Sequence, residues 1–303
     1  MIGASNLTVR ARMPGRASID CSRLVDEWTH CVRLSGDAIT WDGVDVKNNE
    51  RGGRGLFVTG SRAVVRRGRF FGHGAEGIAV GESHWPFERA PRDVLVENNE
   101  VHSNVQWNNP QSAVYKGFRE GGGGWPGALV ANVAIDPVFR NNRSYENHGE
   151  GIIFTRVRGG RSEIRGNRAR DNHSVNVYVD SVRGDADDYV DVIGNRAWST
   201  YEQVFYRHGV PAQNIAVSSE SYPADPFVAG NQKCRYVHVV GNTVEHGGRG
   251  IAVDNYGGLG IDSVAIRENV ARENRTADGR PADFFLEDGP EVTNVWPVDN
   301  TGF

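Results

Sequence analysis

The pattern that decides the fold occurs twice in succession, in VFRNNRSYENHGEGIIF (138–154) and in EIRGNRARDNHSVNVYV (163–179). Each stretch contains a short β-rich run, an asparagine, a second short run and then an apolar strand. Weaker copies lie before and after these two. The asparagines that align across the copies are Asn99, Asn142, Asn167, Asn195, Asn242 and Asn269.

The spacing of these asparagines defines the repeat unit. Asn142, Asn167 and Asn195 are separated by 25 and 28 residues, and Asn242 and Asn269 by 27. This period is too short for a helix pair or a propeller blade, and no segment shows sustained helical periodicity. Three short strands joined by turns fit it well. The sequence therefore predicts an all-β, single-domain right-handed parallel β-helix of about eight or nine coils.

The predicted domain covers the whole chain, residues 1–303, with clear repeats over about 38–288. Long loops at about 105–127 and 200–235 interrupt the repeat, and 289–303 is expected to be a C-terminal tail. The stacked asparagines of successive turns are expected to hydrogen-bond one another. They would form a ladder that fixes the register of the coils.

Composition and charge exclude several classes of protein. The formal net charge is −4, whereas nucleic-acid-binding proteins normally carry a basic stripe. No apolar run approaches the length of a membrane span. The three cysteines, Cys21, Cys31 and Cys234, are expected to be small buried apolar groups rather than disulfides. The N-terminus lacks a signal peptide but begins within a repeat, so we expect a secreted or cell-surface protein in its full-length form, with a cytoplasmic location left open.

The repeats resemble the coils of the pectate-lyase-like right-handed β-helix superfamily. The segments HGEGIIFTR (148–156) and RGNRARDN (165–172) are also similar to repeats of mannuronan epimerases, although the Asp-Pro-His catalytic signature of that family is missing. The resemblance implies the fold over roughly 38–288. It implies no single activity, because lyases, hydrolases, epimerases, tailspikes and adhesins share this fold. In the family, substrates usually lie across the exposed face of the third strand of each coil.

The two-residue period of a strand predicts which side chains of that third strand point inward. The residues aligned as inward are Leu56, Ile78, Leu129, Ile152, Val177, Ile215, Ile251 and Phe284. Three positions later, polar and acidic residues concentrate at Asp180, Ser218 and Asp254. The sequence thus predicts a polar patch on the outer face of these strands.

Four acids are candidate catalytic residues in this patch: Asp180, Glu220, Asp254 and Glu150. Glycoside cleavage is carried out by two carboxyl groups, one protonated and one ionised. Asp180 and Asp254 are expected two rungs apart, about 9.6 Å, which is consistent with the spacing of an inverting pair. Asp180 is therefore the first candidate, with Glu220 and Asp254 as partners.

A second group of side chains is expected to bind the substrate. Aromatic rings in the long loops suit the apolar faces of sugars, and polar neighbours suit the hydroxyls. Asn176, Tyr178, Asn214 and Arg156 would orient the sugar, and His148 and His173 are expected to stack one rung apart. The remaining candidates are Trp85, Trp125 and Lys116 on the loops.

These observations favour a carbohydrate-active enzyme that cleaves or transfers glycosidic bonds in a polysaccharide or oligosaccharide along the groove. A uronate-specific lyase or epimerase is the alternative within enzymes, since Arg156, Lys116 and the two histidines offer basic groups. A non-catalytic glycan-binding or structural β-helix is the alternative from a different class. No metal site or cofactor is expected. Calcium held by the acids is the alternative, although no compact calcium loop is visible.

Overall fold

The computed structural model describes residues 1–82, 86–117, 125–220, 233–256, 259–287 and 291–302. Its strands are β1 (Thr8–Arg10), β2 (Ala17–Asp20), β3 (Thr29–Leu34), β4 (Thr40–Asp42), β5 (Val44–Lys47), β6 (Gly53–Val58), β7 (Val64–Arg66), β8 (Arg69–Phe71), β9 (Ile78–Val80), β10 (Leu95–Glu97), β11 (Glu100–His102), β12 (Leu129–Asn132), β13 (Val138–Arg140), β14 (Arg143–Tyr145), β15 (Ile152–Thr155), β16 (Glu163–Arg165), β17 (Arg168–Arg170), β18 (Val175–Asp180), β19 (Val190–Ile193), β20 (Arg196–Trp198), β21 (Gln213–Ser218), β22 (Cys234–Val240), β23 (Thr243–Glu245), β24 (Arg249–Asp254), β25 (Ile261–Arg267), β26 (Val270–Arg272), β27 (Phe284–Leu286) and β28 (Val292–Val298). Short 3-10 helices lie in the loops at Phe87–Arg89, Gln106–Asn108 and Gln203–Phe205.

The strands form three parallel sheets, and the chain visits each sheet once per coil. Sheet A consists of β3-β6-β9-β12-β15-β18-β21-β24-β27, and sheet C of β2-β5-β8-β11-β14-β17-β20-β23-β26. Sheet B consists of β1-β4-β7-β10-β13-β16-β19-β22-β25-β28. This is the right-handed parallel β-helix that the repeat predicted. The stacked strands extend beyond 38–288, because β1 to β3 precede that range and β28 pairs with β25 inside 289–303.

The interior of the coil is filled by apolar columns from all three sheets. In sheet A, each predicted inward residue from Leu56 to Phe284 pairs in register with the next along the sheet. Seven of the eight are fully buried, and Phe284 at the last coil is partly buried. The prediction of this column is confirmed. It holds because a strand with one buried face cannot slip by one residue without exposing its apolar side chains.

A ladder of asparagines runs along the turns between sheets B and C. Each side-chain amide donates to the carbonyl oxygen of the asparagine in the next coil, at 2.9 to 3.1 Å. The members are Asn99, Asn142, Asn167, Asn195, Asn242, Asn269 and Asn300. The six predicted asparagines are therefore confirmed as a ladder, and Asn300 extends it into the last coil.

The prediction that the cysteines are unpaired is wrong for two of them. Cys21 and Cys31 form a disulfide, with their Cα atoms 5.7 Å apart, and it closes the loop that enters β3. The pairing was missed because the first coils lie before the part of the sequence where the repeat is clear. Cys234 is a free, buried thiol, as expected. Among the described residues, no helix is long and apolar enough to span a membrane.

Candidate active site

The outer face of sheet A carries the predicted patch at its centre. Thr155, Asp180, Ser218 and Asp254 occupy equivalent positions in β15, β18, β21 and β24. Tyr178 projects from the same face between Ile153 and Ala216. The alignment that brought these residues together from sequence is confirmed as register, and the detailed contacts then decide what each one does.

Asp180 is a buried anchor and not an exposed acid. Its side chain is fully buried, and Thr155 Oγ1 donates to its Oδ2 at 2.9 Å. Its Oδ1 accepts from Ser181 Oγ at 2.8 Å and from the backbone N–H of Glu220 at 2.9 Å. Asp180 therefore fixes the start of the segment that follows β21. It positions Glu220 rather than reaching a substrate itself.

Glu220 lies beside Tyr178 on the rim of the patch. The phenol of Tyr178 donates to Oε1 of Glu220 at 2.7 Å, and the glutamate is only partly buried. Burial, followed by the charges of Asp180, Glu220 and Glu150, raises the pKa of Tyr178 well above its usual value. Tyr178 therefore keeps its proton at neutral pH and donates it in a hydrogen bond to the Glu220 carboxyl group.

Glu150 supplies a protonated carboxyl group at the same place. It precedes β15 in the HGEG segment and is partly buried. Burial raises its pKa to about 8, and the negative charges of Glu220 and Asp180 add to this shift, while Arg207 opposes it. At neutral pH Glu150 is therefore mainly a carboxylic acid. The charge of Glu220 thus acts directly on a carboxyl group that is held protonated.

Arg207 contributes the positive charge nearest to this site, and the sequence did not predict it. It lies in the loop between β20 and β21 and donates to Ser174 Oγ at 3.1 Å. Together with Gln213, Arg249 and Tyr256 it lines a cavity of about 230 Å³ beside β21 and β24. The position of Arg207 follows from the path of an inserted loop, which no repeat copy defines.

Asp254 forms an ion pair with Arg249, apart from Glu150 and Glu220. Nη1 of Arg249 lies 3.1 and 2.8 Å from its two carboxylate oxygens, and the aspartate is nearly fully buried. Burial raises the pKa of Asp254, and Arg249 opposes the shift. Asp180 and Asp254 are thus not available as the exposed catalytic pair that the sequence predicted. The acids that meet in a partly open space are Glu150 and Glu220.

Asn176 and Asn214 were expected to contact sugar, but they are structural. Both are fully buried in a second ladder between sheets C and A, where Asn176 Nδ2 donates to Asn214 Oδ1 at 3.0 Å. The complete ladder is Asn104, Asn147, Asn172, Asn176, Asn214, Asn274 and Asp283. The sequence signal for this ladder was that Gly and Asn alternate at the position just before the inward residue of sheet A. A Cβ atom at Gly151 would lie 2.6 Å from Asn172 Nδ2, so glycine leaves room for a ladder amide from the next coil.

The other basic candidates are also buried within the wall of the coil. Arg156 is 4% exposed and donates to Asn132 Oδ1 at 3.0 Å. His173 is fully buried, and the nearly buried ring of His148 packs against Phe205, with ring centroids 5.1 Å apart. These side chains support the site from beneath and from one side. None of the three presents an exposed cation to it.

Lys116 and Trp125 lie toward the N-terminal end of sheet A. Lys116 pairs with Glu27 at 2.9 Å and covers the ring of Trp107, and the half-exposed Trp125 packs against Trp28. Trp28 precedes β3, which is five strands away from β18 in the sheet, or about 24 Å. Lys116 and Trp125 thus contact Glu27 and Trp28, which precede β3. Trp85 falls outside the described residues. Within the described ranges, no group of three or more His, Cys, Asp or Glu side chains is arranged to hold a metal ion.

The fold and the site define a parallel β-helix with an acidic site on the outer face of one sheet. The A-module of the mannuronan C-5 epimerase AlgE4 of Azotobacter vinelandii has a similar structure, with a TM-score of 0.52 and 10% identity over 99% of this chain and 84% of that one. An alginate lyase from Paenibacillus sp. str. FPU-7 gives a TM-score of 0.48 and 11% identity over 94% of this chain and 83% of that one.

The Dettilon tailspike protein (gp208) matches with a TM-score of 0.39 and 14% identity over 85% of this chain. The chain spans only 42% of that tailspike. At these identities the likeness establishes the fold and nothing more specific. No family model matches the sequence, and no curated protein matches it significantly.

Proposed function

We propose that the protein is a carbohydrate-active enzyme that hydrolyses glycosidic bonds in a polysaccharide bound across the outer face of sheet A. The observation that carries the proposal is the meeting of Glu150 and Glu220. One carboxyl group has its pKa raised to about 8, and the other accepts a hydrogen bond from Tyr178. Glycoside hydrolysis is carried out by a protonated carboxyl group together with a second carboxyl group.

In this reaction Glu150 donates its proton to the oxygen of the leaving sugar. Glu220 lies on the other side of the scissile bond and takes the proton of the water that attacks the sugar, while Tyr178 holds its carboxyl group in place by a hydrogen bond. Asp180 accepts a hydrogen bond from the backbone N–H of Glu220 and so positions that residue. Arg207 and the cavity beside it suit the hydroxyl or carboxylate groups of a neighbouring sugar.

Elimination or C-5 epimerisation in a uronate polymer is the second candidate. Tyr178 bears a phenolic proton at the site, and Arg207 supplies a cation for a uronate carboxylate. The fold shared with a mannuronan C-5 epimerase adds support at the level of architecture only. We rank hydrolysis first because two carboxyl groups, of which Glu150 has a raised pKa, account for both of the required proton transfers.

We also propose that the protein acts outside the cytoplasm. The Cys21–Cys31 disulfide supports an oxidising environment, in which such bonds form and persist. A polysaccharide substrate would be met in the same place.

The proposal is tested by incubating the purified protein with a panel of neutral and uronate-containing polysaccharides. New reducing ends and the absorbance of unsaturated uronates are followed in the same samples. Reducing ends without absorbance are expected. Absorbance that rises together with the ends would replace hydrolysis by elimination. Silence across the panel, in both signals, would contradict the proposal and favour a non-catalytic glycan-binding β-helix.

A further inference from the structure

Three arginines lie next to one another on the outer face of sheet C, away from the acids of sheet A. Arg143, Arg168 and Arg196 occupy equivalent positions in β14, β17 and β20, and all three are exposed. Adjacent strands of a sheet are about 4.8 Å apart. Three like charges at that spacing repel one another, and such a column is unfavourable without a partner of opposite charge.

In sheet B, by comparison, an acidic residue lies between two arginines of one column. There Arg66 and Arg140 are separated by Glu97, which pairs with both of them, at 3.9 and 2.9 Å. The column in sheet C also begins in this way, with Arg69 paired to Asp45 and followed by Glu100. The alternation of basic and acidic residues along this column stops at Arg143. The run of three arginines in sheet C is thus longer than that in the sheet B column, where Arg140 and Arg165 alone are adjacent.

The acids around the arginine column lie at its two ends. Arg143 reaches back to Glu100 at 3.3 Å, and Arg196 reaches forward to Glu245 at 3.0 Å. Among the residues that the structure describes, no carboxylate lies within ion-pair distance of Arg168, the middle member. The centre of the column thus has an exposed guanidinium whose charge is not neutralised by the protein.

Flat side chains line the neighbouring positions. Tyr145, Arg170 and Trp198 form the next column, with the Arg170 guanidinium 4.9 Å from the Tyr145 ring. Arg170 itself pairs with Glu146 and Asp171. The two columns border a cavity of about 320 Å³ lined by Arg143, Tyr145, Arg168, Arg170 and Trp198. This lining contains three guanidinium groups and two aromatic rings, and no acid.

We propose that this surface of sheet C, defined by Arg143, Arg168, Arg196, Tyr145 and Trp198, binds a segment of an acidic polysaccharide. The guanidinium groups suit carboxylate or sulfate groups on the chain, and the aromatic rings suit the apolar faces of its sugars. The site lies on a different sheet from Glu150 and goes beyond the proposed function. It would hold a polymer on the protein independently of cleavage.

The test is affinity electrophoresis of the intact chain in gels that contain polygalacturonate, alginate or neutral dextran. Glu150→Gln is introduced throughout so that no polymer is cleaved. The Arg143→Ala/Arg168→Ala variant is compared with Arg267→Ala, which removes an exposed arginine that stacks between Val240 and Val298 in sheet B. The double variant is expected to bind an acidic polymer about tenfold more weakly, and Arg267→Ala to bind it unchanged.

Equal retardation of all proteins, or equal loss in the double variant and in Arg267→Ala, would overturn the proposal. Retardation in dextran that also depends on Arg168 would overturn the assignment to an acidic polymer. Competition by single-stranded DNA as effective as that by the acidic polymer would overturn the assignment to a polysaccharide. Circular dichroism of each variant confirms that it is folded. Because the gel measures binding without turnover, failure of the proposed hydrolysis leaves this result readable, and the reverse is also true.

Discussion

At the scale of single residues, the state of Glu150 decides the chemistry. A glutamic acid on a surface is ionised at neutral pH, whereas burial and two neighbouring acids raise the pKa of Glu150 to about 8. Glu220 lies in the same space but receives the phenolic proton donor Tyr178. The two acids differ because of what surrounds them, and this difference is what an acid–base pair requires.

The first prediction concerns the pH dependence of turnover. If Glu150 is the general acid, kcat should be high while it is protonated and should fall as the pH rises through about 8. Glu150→Gln should lower kcat by roughly 10²-fold to 10⁴-fold and remove this alkaline limb. The measurement is the pH–rate profile of both proteins on the most reactive glycan of the panel. If kcat of Glu150→Gln falls over the same pH range as that of the wild type, the fall belongs to another group.

The second prediction concerns stability at the same position. In the unfolded chain Glu150 releases its proton near its ordinary pKa of 4.5, whereas in the folded chain it holds the proton up to about 8. Since the unfolded state then binds fewer protons, the free energy of unfolding should fall as the pH rises through this interval. Glu150→Gln should therefore raise Tm relative to the wild type at pH 8 more than at pH 5. Equal differences at the two pH values would contradict the buried acid.

At the scale of strands and turns, β18 and β21 bring the site together. Asp180 ends β18, and it accepts hydrogen bonds from its own neighbour Ser181 and from the first residues after β21. The segment that carries Glu220 is therefore tied to the preceding rung. Stacking in register fixes the strands but not the loops. A loop residue has a defined position only where a hydrogen bond to the neighbouring coil holds it.

Asp180→Asn tests this tie. An amide in place of the carboxylate turns one acceptor into a donor and leaves buried donors without a partner, at a cost of about 1–3 kcal/mol in unfolding free energy. We expect a lower Tm together with a loss of kcat, because Glu220 moves. Asp254→Asn, which disturbs the contacts with Arg249 and Tyr256, is the matched control and should retain kcat. Loss of kcat in the control and its retention in Asp180→Asn would reverse the assignment.

The asparagine ladder is tested at its middle and at its end. Asn167→Ala removes the acceptor of the Asn142 backbone and side-chain N–H groups, and both are buried. We expect the free energy of unfolding to fall by at least about 2 kcal/mol, from about 1–3 kcal/mol for each unsatisfied buried group. Asn300→Ala at the last rung, which is partly exposed, should cost less. Urea unfolding of both variants measures the difference, and equal costs would contradict a continuous ladder.

Much of the sheet could be predicted from sequence, because a strict two-residue period leaves one register. The inward column from Leu56 to Phe284 and the outer row from Thr155 to Asp254 follow from it. The period does not hold at the corner where β18 begins, and the role of Asn176, the second residue of β18, was wrong for that reason. Ser174, the residue before β18, has a φ of 75°. The alternation of inward and outward side chains in β18 therefore does not continue into the corner. Asn176 instead continues a ladder that began at Asn104.

At the scale of the whole molecule, different parts of the coil stabilise the fold and carry the acids. Two asparagine ladders fix the corners, the apolar columns fill the interior, and the outer face of sheet A is left to carry the acids. Residues whose place depends on insertions, such as Arg207, and properties that depend on summed charge, such as the protonation of Glu150, could not be predicted from the repeat. They depend on loop paths and on neighbours that are distant in sequence.

The central claim is that Glu150 and Glu220 together cleave glycosidic bonds. The most direct test measures new reducing ends, released from the most reactive polysaccharide, by the wild type, Glu150→Gln, Glu220→Gln and the control Asp254→Asn, with unsaturated-uronate absorbance read in parallel. We predict that both glutamine variants lose the release of reducing ends by roughly 10²-fold or more, that Asp254→Asn retains it, and that absorbance stays flat. Full activity in either glutamine variant would contradict the account.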